Sequence, residues 1–262
     1  MGVVLIVNLI AVLFQIQLYA RIPRHNKHRR SIYGLSYNFV FLTWLQLACR
    51  NITNLLYSCN NKVKEQIGRR YPYGEFEVPG LLVVLAEVIL FGVISEGLIQ
   101  LYLPKYKKTR NINQGISTIP KVFVVSGLVI EGWITWCVIN NERFSFKVLD
   151  CVDFIWFFGN ICGWIKLVPQ VFMNWFDSSV AGTYKYFSRF YGMLIVFQLI
   201  VKVVIMFGVD SKIHWFNEPV NIDTWGSILI NLIMSFTFIY QEEIYKFNRP
   251  TLLQNQPEGE VV

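Results

Sequence analysis

Charged residues are scarce in this chain, and their scarcity indicates its class. Asp, Glu, Lys and Arg make up 16% of the 262 residues, whereas hydrophobic residues make up 54%. A soluble domain normally carries about 25% charged residues. Helices with so few charged faces would not stay in water. The composition therefore argues against a soluble helical protein and predicts one that lies in a lipid bilayer.

Cysteine and histidine are also few, and their placement predicts no cofactor. The five cysteines show no paired spacing, which argues against a disulfide framework or a zinc site. The three histidines fall in predicted loops, so no pair of helix histidines is expected to hold a haem. Gly-rich phosphate loops and serine nucleophile elbows are absent from the sequence. We therefore predict no metal, no cofactor and no enzymatic activity.

The chain does contain several long runs of apolar residues. Seven stretches each provide the roughly 20 mostly apolar residues that a bilayer-spanning helix needs. They cover residues 3–20, 32–57, 78–103, 122–140, 149–175, 186–209 and 224–245. The connectors are too short for a separate soluble domain, so we predict an all-α membrane protein with seven transmembrane helices.

Basic residues cluster in two of the predicted loops, 21–30 and 104–121, each of which contains five Lys or Arg residues. By the positive-inside rule, these loops and the C-terminus lie on the cytosolic side, or on the matrix side of a mitochondrial membrane. The net charge of +7 comes mostly from these loops, so it orients the helices in lipid. The lipid bilayer is therefore a predicted partner, and nucleic acid is not.

The segment 165–174 places polar side chains and a proline inside the fifth apolar run. Pro169 lacks a backbone N–H and is expected to bend the helix, a defect tolerated in lipid only where neighbours satisfy the freed carbonyl. Lys166, Gln170 and Asn174 recur at four-residue spacing, so we expect them to share one helix face. Two interpretations stay open. The face is a polar wall for a zwitterionic solute or an anion, or it makes hydrogen bonds between helices, each worth about 1 kcal/mol.

A faint internal repeat accompanies this segment. Residues 14–19 resemble 169–174, and residues 31–37 resemble 179–184. The match predicts two parallel three-helix units, 1–103 and 149–246, joined by a linker helix within 104–148 and followed by a polar tail, 247–262. Parallel repeats of this kind place a substrate site at their interface near the midplane of the bilayer.

Three segments in order carry a resemblance to a known family. Lys166 stands three residues before Pro169-Gln170, and Asn174, Ser179 and Gly182 follow. Residues 33–39 read Tyr-Gly-Leu-Ser-Tyr-Asn-Phe, and Lys64-Glu65-Gln66 precedes a Tyr-Pro-Tyr-Gly run at 71–74. In these segments the chain resembles the cystinosin family of PQ-loop proteins, which export cystine from lysosomes and vacuoles by proton coupling.

The resemblance implies a PQ-loop (SWEET-like) fold, alternating access, and cystine or another small amino acid as the solute. It also implies residence in a lysosomal or vacuolar membrane. The residues that match the family's path and hinge are Pro169, Gln170, Lys166, Asn174, Asn38 and Gln15.

The departures from the family concern its membrane-embedded aspartates. Asn38, Tyr191 and Ser235 stand where the family has aspartate, and Phe14-Gln15 replaces the first proline-glutamine motif. These side chains do not titrate near neutrality, so coupling by the family's route is not expected. A relocated proton path would use Glu87, Glu131 or Asp153. We favour instead ion pairs between helices, because four embedded basic residues balance four acidic ones. The embedded ionisable residues are Arg50, Glu87, Glu96, Glu131, Asp153, Lys166, Arg189 and Lys202.

Two hypotheses of function follow from the sequence. The first is a cystine or amino-acid carrier. The second is a transport-inactive relative that serves as a structural subunit of a larger membrane complex, for which the mitochondrial inner membrane is one conceivable home. In that case Arg50 and Arg189 would pair with charges on other membrane subunits.

Overall fold

The computed structural model describes residues 2–70, 80–109, 114–140, 145–208 and 223–248, with side chains described from residue 6 and not at 204–208. Within these ranges all regular structure is helical, which confirms the all-α prediction for them. The helices are α1 Gly2–Arg29, α2 Tyr37–Cys59, α3 Asn61–Arg70, α4 Leu81–Tyr102, a 3-10 helix Pro104–Thr109, α5 Thr118–Asn140, α6 Val148–Ile165, α7 Val168–Phe176, α8 Phe187–Gly208 and α9 Trp225–Ile244.

Four stretches among the described residues are long and apolar enough to cross a membrane. They are Ile6–Arg29, Leu81–Tyr102, Thr118–Asn140 and Val148–Phe176. Many of their large apolar side chains face outward, as Ile119, Leu128 and Ile139 do on α5. An exposed apolar surface of this extent is suited to lipid and not to water. These are the properties of an all-α membrane protein.

The predicted apolar runs each fall on a helix, with α6 and α7 sharing the fifth run. One predicted boundary is wrong. The basic segment 21–30 is not a loop, because α1 continues through Arg29. Two of the three histidines, His25 and His28, therefore lie on a helix, whereas His214 lies outside the described residues. Lys and Arg are good helix formers, so a basic sequence can prolong a helix beyond its apolar part.

Side-chain caps begin two of the helices. The hydroxyl of Ser36 accepts a hydrogen bond from the N–H of Phe39 at the start of α2. The hydroxyl of Thr224 accepts one from the N–H of Ser227 at the start of α9. Each cap satisfies a backbone donor that the first helical turn leaves free.

Two groups of helices, α1, α2 and α4 and then α6 to α9, are each joined by contacts among their members. In the first group α4 lies between α1 and α2 and contacts both. In the second group α9 packs against α8 on one side and against α6 and α7 on the other. The groups meet where α2 packs on α6 and α1 on α8, whereas α5 packs on the outside of α6. The seam between the groups is therefore lined by α1, α2, α6, α7 and α8.

The core along this seam is largely aromatic. Phe39 of α2 and Phe187 of α8 meet edge to face with ring centroids 6.0 Å apart. Phe187 also contacts Tyr191 and Phe238 at 5.8 and 5.7 Å. Such pairs add about 0.5–1.5 kcal/mol each to the burial of their area. The five cysteines are free thiols, as the sequence predicts.

Candidate functional site

Pro169 interrupts the fifth apolar run. The helix α6 ends at Ile165 and α7 begins at Val168, with Pro169 in its first turn. Because proline has no N–H, the carbonyl of Ile165 loses its helical donor. Hydrogen bonding resumes at Leu167, whose carbonyl accepts from the N–H groups of Gln170 and Val171 at 3.0 and 3.1 Å. The proline divides the run into two helices, whereas the bend stays a prediction, because Lys166 and Leu167 keep helical dihedral angles.

Gln170 ties the second group of helices to the turn between α1 and α2. Its Nε2 donates to the carbonyl of Gly34 at 2.8 Å, and its Oε1 accepts from the N–H of Ser36 at 2.8 Å. The same Nε2 donates to Asn174 Oδ1 at 2.9 Å. The side chain is fully buried, so these bonds are made away from solvent. Gln170 therefore acts as a clamp between the two groups.

Two glycines, Gly34 and Gly182, lie in contact at the end of the seam where Gln170 makes its hydrogen bonds. Gly34 has φ of 79°, a conformation that favours glycine. A Cβ placed on Gly182 would lie only 1.8 Å from the carbonyl oxygen of Gly34, so the two backbones touch directly. The guanidinium of Arg29 donates to the carbonyl of Ala181 beside this contact. The turn after α1 and the turn after α7 are thus closed against each other.

Asn174 extends the clamp to α9. Its Nδ2 donates to Gln241 Oε1 at 3.1 Å, and Gln241 Nε2 donates to the carbonyl of Val171 at 2.9 Å. The prediction that Gln170 and Asn174 share a face is confirmed by their hydrogen bond. The observed contacts of Gln170 and Asn174 therefore match the second of the two interpretations, hydrogen bonds between helices.

Lys166 belongs to a different cluster. It lies in the turn before α7, is 8% exposed, and its Nζ donates to Gln46 Oε1 on α2 at 3.1 Å. Its Nζ also lies 5.9 Å from the ring centroid of Tyr19 and 5.7 Å from that of Tyr191. Among the described residues Lys166 forms no ion pair, although Asp223 acts on it through space. Lys166 and Leu167 keep helical dihedral angles across the break, so the face that Lys166 shares with Gln170 and Asn174 stays a prediction.

Tyr191 and Asn231 complete the surroundings of this lysine. Tyr191 donates its hydroxyl to Asn231 Oδ1 at 3.0 Å, and Asn231 Nδ2 donates to the carbonyl of Gly163 at 3.0 Å. Gly163 gives Gln46 room, since a Cβ there would lie 2.4 Å from Gln46 Nε2. A buried ammonium is thus held by amide and aromatic groups at the seam, where α1, α2, α6, α8 and α9 meet.

A buried charge cluster follows further along the seam. Arg50 Nε lies 2.9 Å from Glu87 Oε1, and Asn54 donates to the other oxygen of Glu87. Arg50 also reaches across the seam to Asp223, with Nη1 3.8 Å from Oδ1. Asp223 accepts from Gln198 through its carboxylate and from Lys202 Nζ through its carbonyl at 2.8 Å. The cluster therefore links α2 and α4 of one group with α8 and α9 of the other.

Several sequence-predicted positions lie away from this polar seam. Asn38 accepts from the N–H of Ser117 at 2.9 Å and donates to its hydroxyl at 3.1 Å, which clips α2 to the segment before α5. Gln15 is buried on α1, and no hydrogen bond joins it to Gln170 or Lys166. Ser235 faces the outer groove between α8 and α9. Of the three aspartate-replacing residues, Tyr191 alone contacts the cluster around Lys166.

The prediction that embedded charges pair within the chain is confirmed for several of them. Arg50 pairs with Glu87, and Arg189 Nη2 pairs with Glu243 Oε1 at 2.5 Å. Asp153 accepts from Arg70 at 2.6 Å and from the hydroxyl of Tyr57 at 2.9 Å. Glu131 is different, because its described partner is the hydroxyl of Thr135 at 3.4 Å.

One titratable group beside the closed turns is strongly perturbed. Burial raises the pKa of Tyr184 to about 12, although the Arg21 guanidinium, 5.7 Å from its ring centroid, acts in the opposite direction. The Tyr184 phenol therefore keeps its proton at physiological pH.

Sequence reasoning missed several members of the seam, among them Gln46, Asp223 and Asn231. Each is an amide or carboxylate at the edge of or within an apolar run, which is the available sequence signal. Asp223 stands immediately before the cap residue Thr224 of α9. Part of the quoted family pattern, residues 71–74, lies outside the described residues.

Comparison with known proteins adds one relative. No protein-family profile matches the chain. An uncharacterized protein of Saccharomyces cerevisiae, YCL002C, is 26% identical over 252 residues, which cover 91% of this chain and 92% of the yeast protein. That description names no activity, so function must be argued from the geometry of the seam.

Proposed function

We propose that this chain is a seven-helix membrane carrier for a small zwitterionic solute, of which cystine or a related amino acid is the first candidate. It works by alternating access between two parallel three-helix halves. The first half comprises α1, α2 and α4, and the second comprises α6 with α7, α8 and α9. The helix α5 links them.

The buried ammonium of Lys166 is the observation that carries this proposal. A cation held by Gln46 Oε1 and two tyrosine rings, with no ion pair among the described residues, is set up to receive an anion. The carboxylate of an amino acid supplies that anion, and such charge-assisted hydrogen bonds are about twice as strong as neutral ones. The lysine lies at the seam, where a solute would be exposed to either side in turn.

The matching order of the two helix groups supports the two-half architecture. In each group the third member lies between the first and the second. Gly34 and Gly182, which the internal repeat makes equivalent, touch where the two turns close. A carrier of this design closes one end with the glycine contact and the Gln170 clamp while the other end opens.

We propose that the carrier works by facilitated diffusion, without proton coupling. Asn38, Tyr191 and Ser235 carry no group that titrates near neutrality. Two of the carboxylates considered for a relocated path, Glu87 and Asp153, already lie in ion pairs with Arg50 and Arg70. The solute gradient alone then drives transport.

The structural-subunit hypothesis expects embedded charges to find partners on other chains. Arg50 and Arg189, the residues that it singles out, pair with Glu87 and Glu243 of the same chain. These contacts favour the carrier. Native electrophoresis in mild detergent separates the two hypotheses, since a carrier migrates as a monomer or small homo-oligomer and a subunit migrates in a large hetero-complex.

Uptake by reconstituted protein tests the carrier directly. The purified chain is placed in vesicles, and labelled cystine and a panel of labelled amino acids are followed against empty vesicles. Lys166→Gln keeps a polar side chain and removes the charge, so we expect it to abolish uptake. Lys107→Gln removes the same charge from an exposed residue of the 3-10 helix and should leave uptake unchanged. No flux above empty vesicles for any solute would refute the proposal.

A further inference from the structure

A half-open cavity of about 580 Å³, with several charged residues in its lining, lies at the end of the molecule where the two turns close. It is lined by the turn between α7 and α8, the start of α8 and the last turn of α9. Its charged lining residues are Lys185, Arg189, Lys246, Glu242 and Glu243, with a net charge of +1. Polar side chains from these three segments therefore line one space, which lies beyond the apolar parts of α8 and α9.

An apolar groove of about 420 Å³ runs between α8 and α9 on the outer face. Its walls are formed by aliphatic and aromatic side chains, among them Met193, Val196, Leu232, Phe236 and Ile239. Arg189 borders both the groove and the polar cavity. The cavity and the groove are therefore adjacent and meet at Arg189. Charged side chains line the cavity, and apolar side chains line the groove. Each volume lies within the range of about 300–1,000 Å³ that ligand pockets occupy.

One buried hydroxyl without a partner lies at the cavity. Thr183, 5% exposed, lines the cavity, and its hydroxyl has no hydrogen-bond partner among the described residues. Buried hydroxyls are normally hydrogen-bonded, so Thr183 leaves a donor beside the space where a headgroup would lie. Ser235, 2% exposed, lines the groove and also has no such partner, but an acyl chain there would offer it no acceptor.

Glycine keeps the groove open at its upper end. A Cβ placed on Gly192 would lie 3.7 Å from Ile239 Cδ1 and 3.9 Å from Ser235 Cβ, which is ordinary contact. A longer side chain at this position would therefore enter the groove without displacing the backbone. This gives a direct way to occupy the space.

We propose that the cavity and groove together bind one anionic glycerophospholipid from the leaflet at the basic end. The phosphate lies among Lys185, Arg189 and Lys246, and one acyl chain follows the groove between α8 and α9. Charge complementarity supports an anionic lipid, because the three lining cations exceed the two carboxylates by one charge. Lys185 has no ion pair among the described residues, Glu243 is shared by Arg189 and Lys246, and Glu242 accepts from the N–H of Ser188. Basic pockets at the ends of membrane helices bind such headgroups.

Native mass spectrometry of the full chain tests this site. The protein is purified in mild detergent and mixed with phosphatidylglycerol or phosphatidylcholine of the same acyl length. We expect one retained phosphatidylglycerol, with at least about fivefold preference over phosphatidylcholine. Lys185→Ala should remove the preference, whereas Lys107→Ala, with the same loss of charge on an exposed residue, should keep it.

The groove is tested separately from the headgroup. Gly192→Leu should reduce retention of both lipids, whereas Gly132→Leu should not, because Gly132 on α5 faces open space. Elution as a single species on size exclusion shows that each variant is folded. If Gly192→Leu fails to fold, the Lys185→Ala comparison still decides the matter. Equal retention of both lipids by the parent chain, or an unchanged preference in Lys185→Ala, would overturn the proposal.

Discussion

The ion pair between Arg50 and Glu87 is the contact whose removal should be most costly. The two side chains are 12% and 1% exposed, and the Nε to Oε1 distance is 2.9 Å. Replacement of Glu87 by Gln keeps the shape of the side chain and removes its charge, so Arg50 loses the carboxylate that neutralises it in the interior. Removal of one partner of a buried pair destabilises a protein by about 3–5 kcal/mol. Asp223, 3.8 Å from Arg50, limits the effect, so we expect the lower end, about 3 kcal/mol.

A thermal-melting assay in detergent converts this expectation into a measurable shift. At about 2–4 °C per kcal/mol, the melting temperature of Glu87→Gln should fall by about 6–12 °C. The matched control is Glu65→Gln on α3, whose pair with Arg69 is 2.6 Å long but 62% and 73% exposed. Exposed pairs contribute about 0–1 kcal/mol, so this variant should melt close to the parent chain.

A double variant separates the ion pair from the packing of the site. Arg50→Met combined with Glu87→Met removes both charges and leaves apolar side chains of similar length. It should recover part of the lost stability, because a buried pair and a well-packed apolar pair are often equivalent, whereas Asp223 loses Arg50 as a partner. A melting temperature of Glu87→Gln equal to that of Glu65→Gln would refute the reasoning and place this pair in a hydrated site.

Three further predictions concern the closed end and the coupling. Gly182→Ala should destabilise the chain by about 1–3 kcal/mol, because its Cβ would overlap the carbonyl of Gly34, whereas Gly92→Ala, which faces open space, should melt like the parent chain. Gln170→Leu should lose about 1–3 kcal/mol for each buried backbone group left unpaired, and Gln170→Glu should recover only the bond from the N–H of Ser36. Solute flux in vesicles should be the same with and without an imposed pH gradient, and acceleration by an inward proton gradient would contradict the uncoupled mode.

The apolar runs of the chain predicted the helices well, because length and hydropathy are properties of each segment by itself. All seven runs fall on helices, and Pro169 marks a break within α6–α7. The continuation of α1 through Arg29 could not be predicted from apolar content, because that last part carries basic residues and is held by contacts with distant segments. The number of spans stays a prediction beyond the four apolar stretches.

The polar seam was harder to predict from the sequence because its geometry depends on how helices from distant parts of the chain pack together. Spacing placed Gln170 and Asn174 correctly on one face. For Lys166 the same argument stays a prediction, because its described contacts, with Gln46 and two tyrosine rings, are separate from those of Gln170. Gln46 and Asp223 are ordinary polar residues in the sequence, and only the folded chain brings them to the seam.

Binding of a carboxylate at Lys166 is the central claim, and a comparison of cystine with cystamine measures it directly. The two molecules share the disulfide and both amines, but cystamine lacks the carboxylates. Calorimetric titration of the purified chain should show binding of cystine and at least about 25-fold weaker binding of cystamine, which corresponds to about 2 kcal/mol for a lost charge pair. Lys166→Gln should abolish that difference. Equal affinity for the two molecules, or unchanged discrimination in Lys166→Gln, would contradict the account.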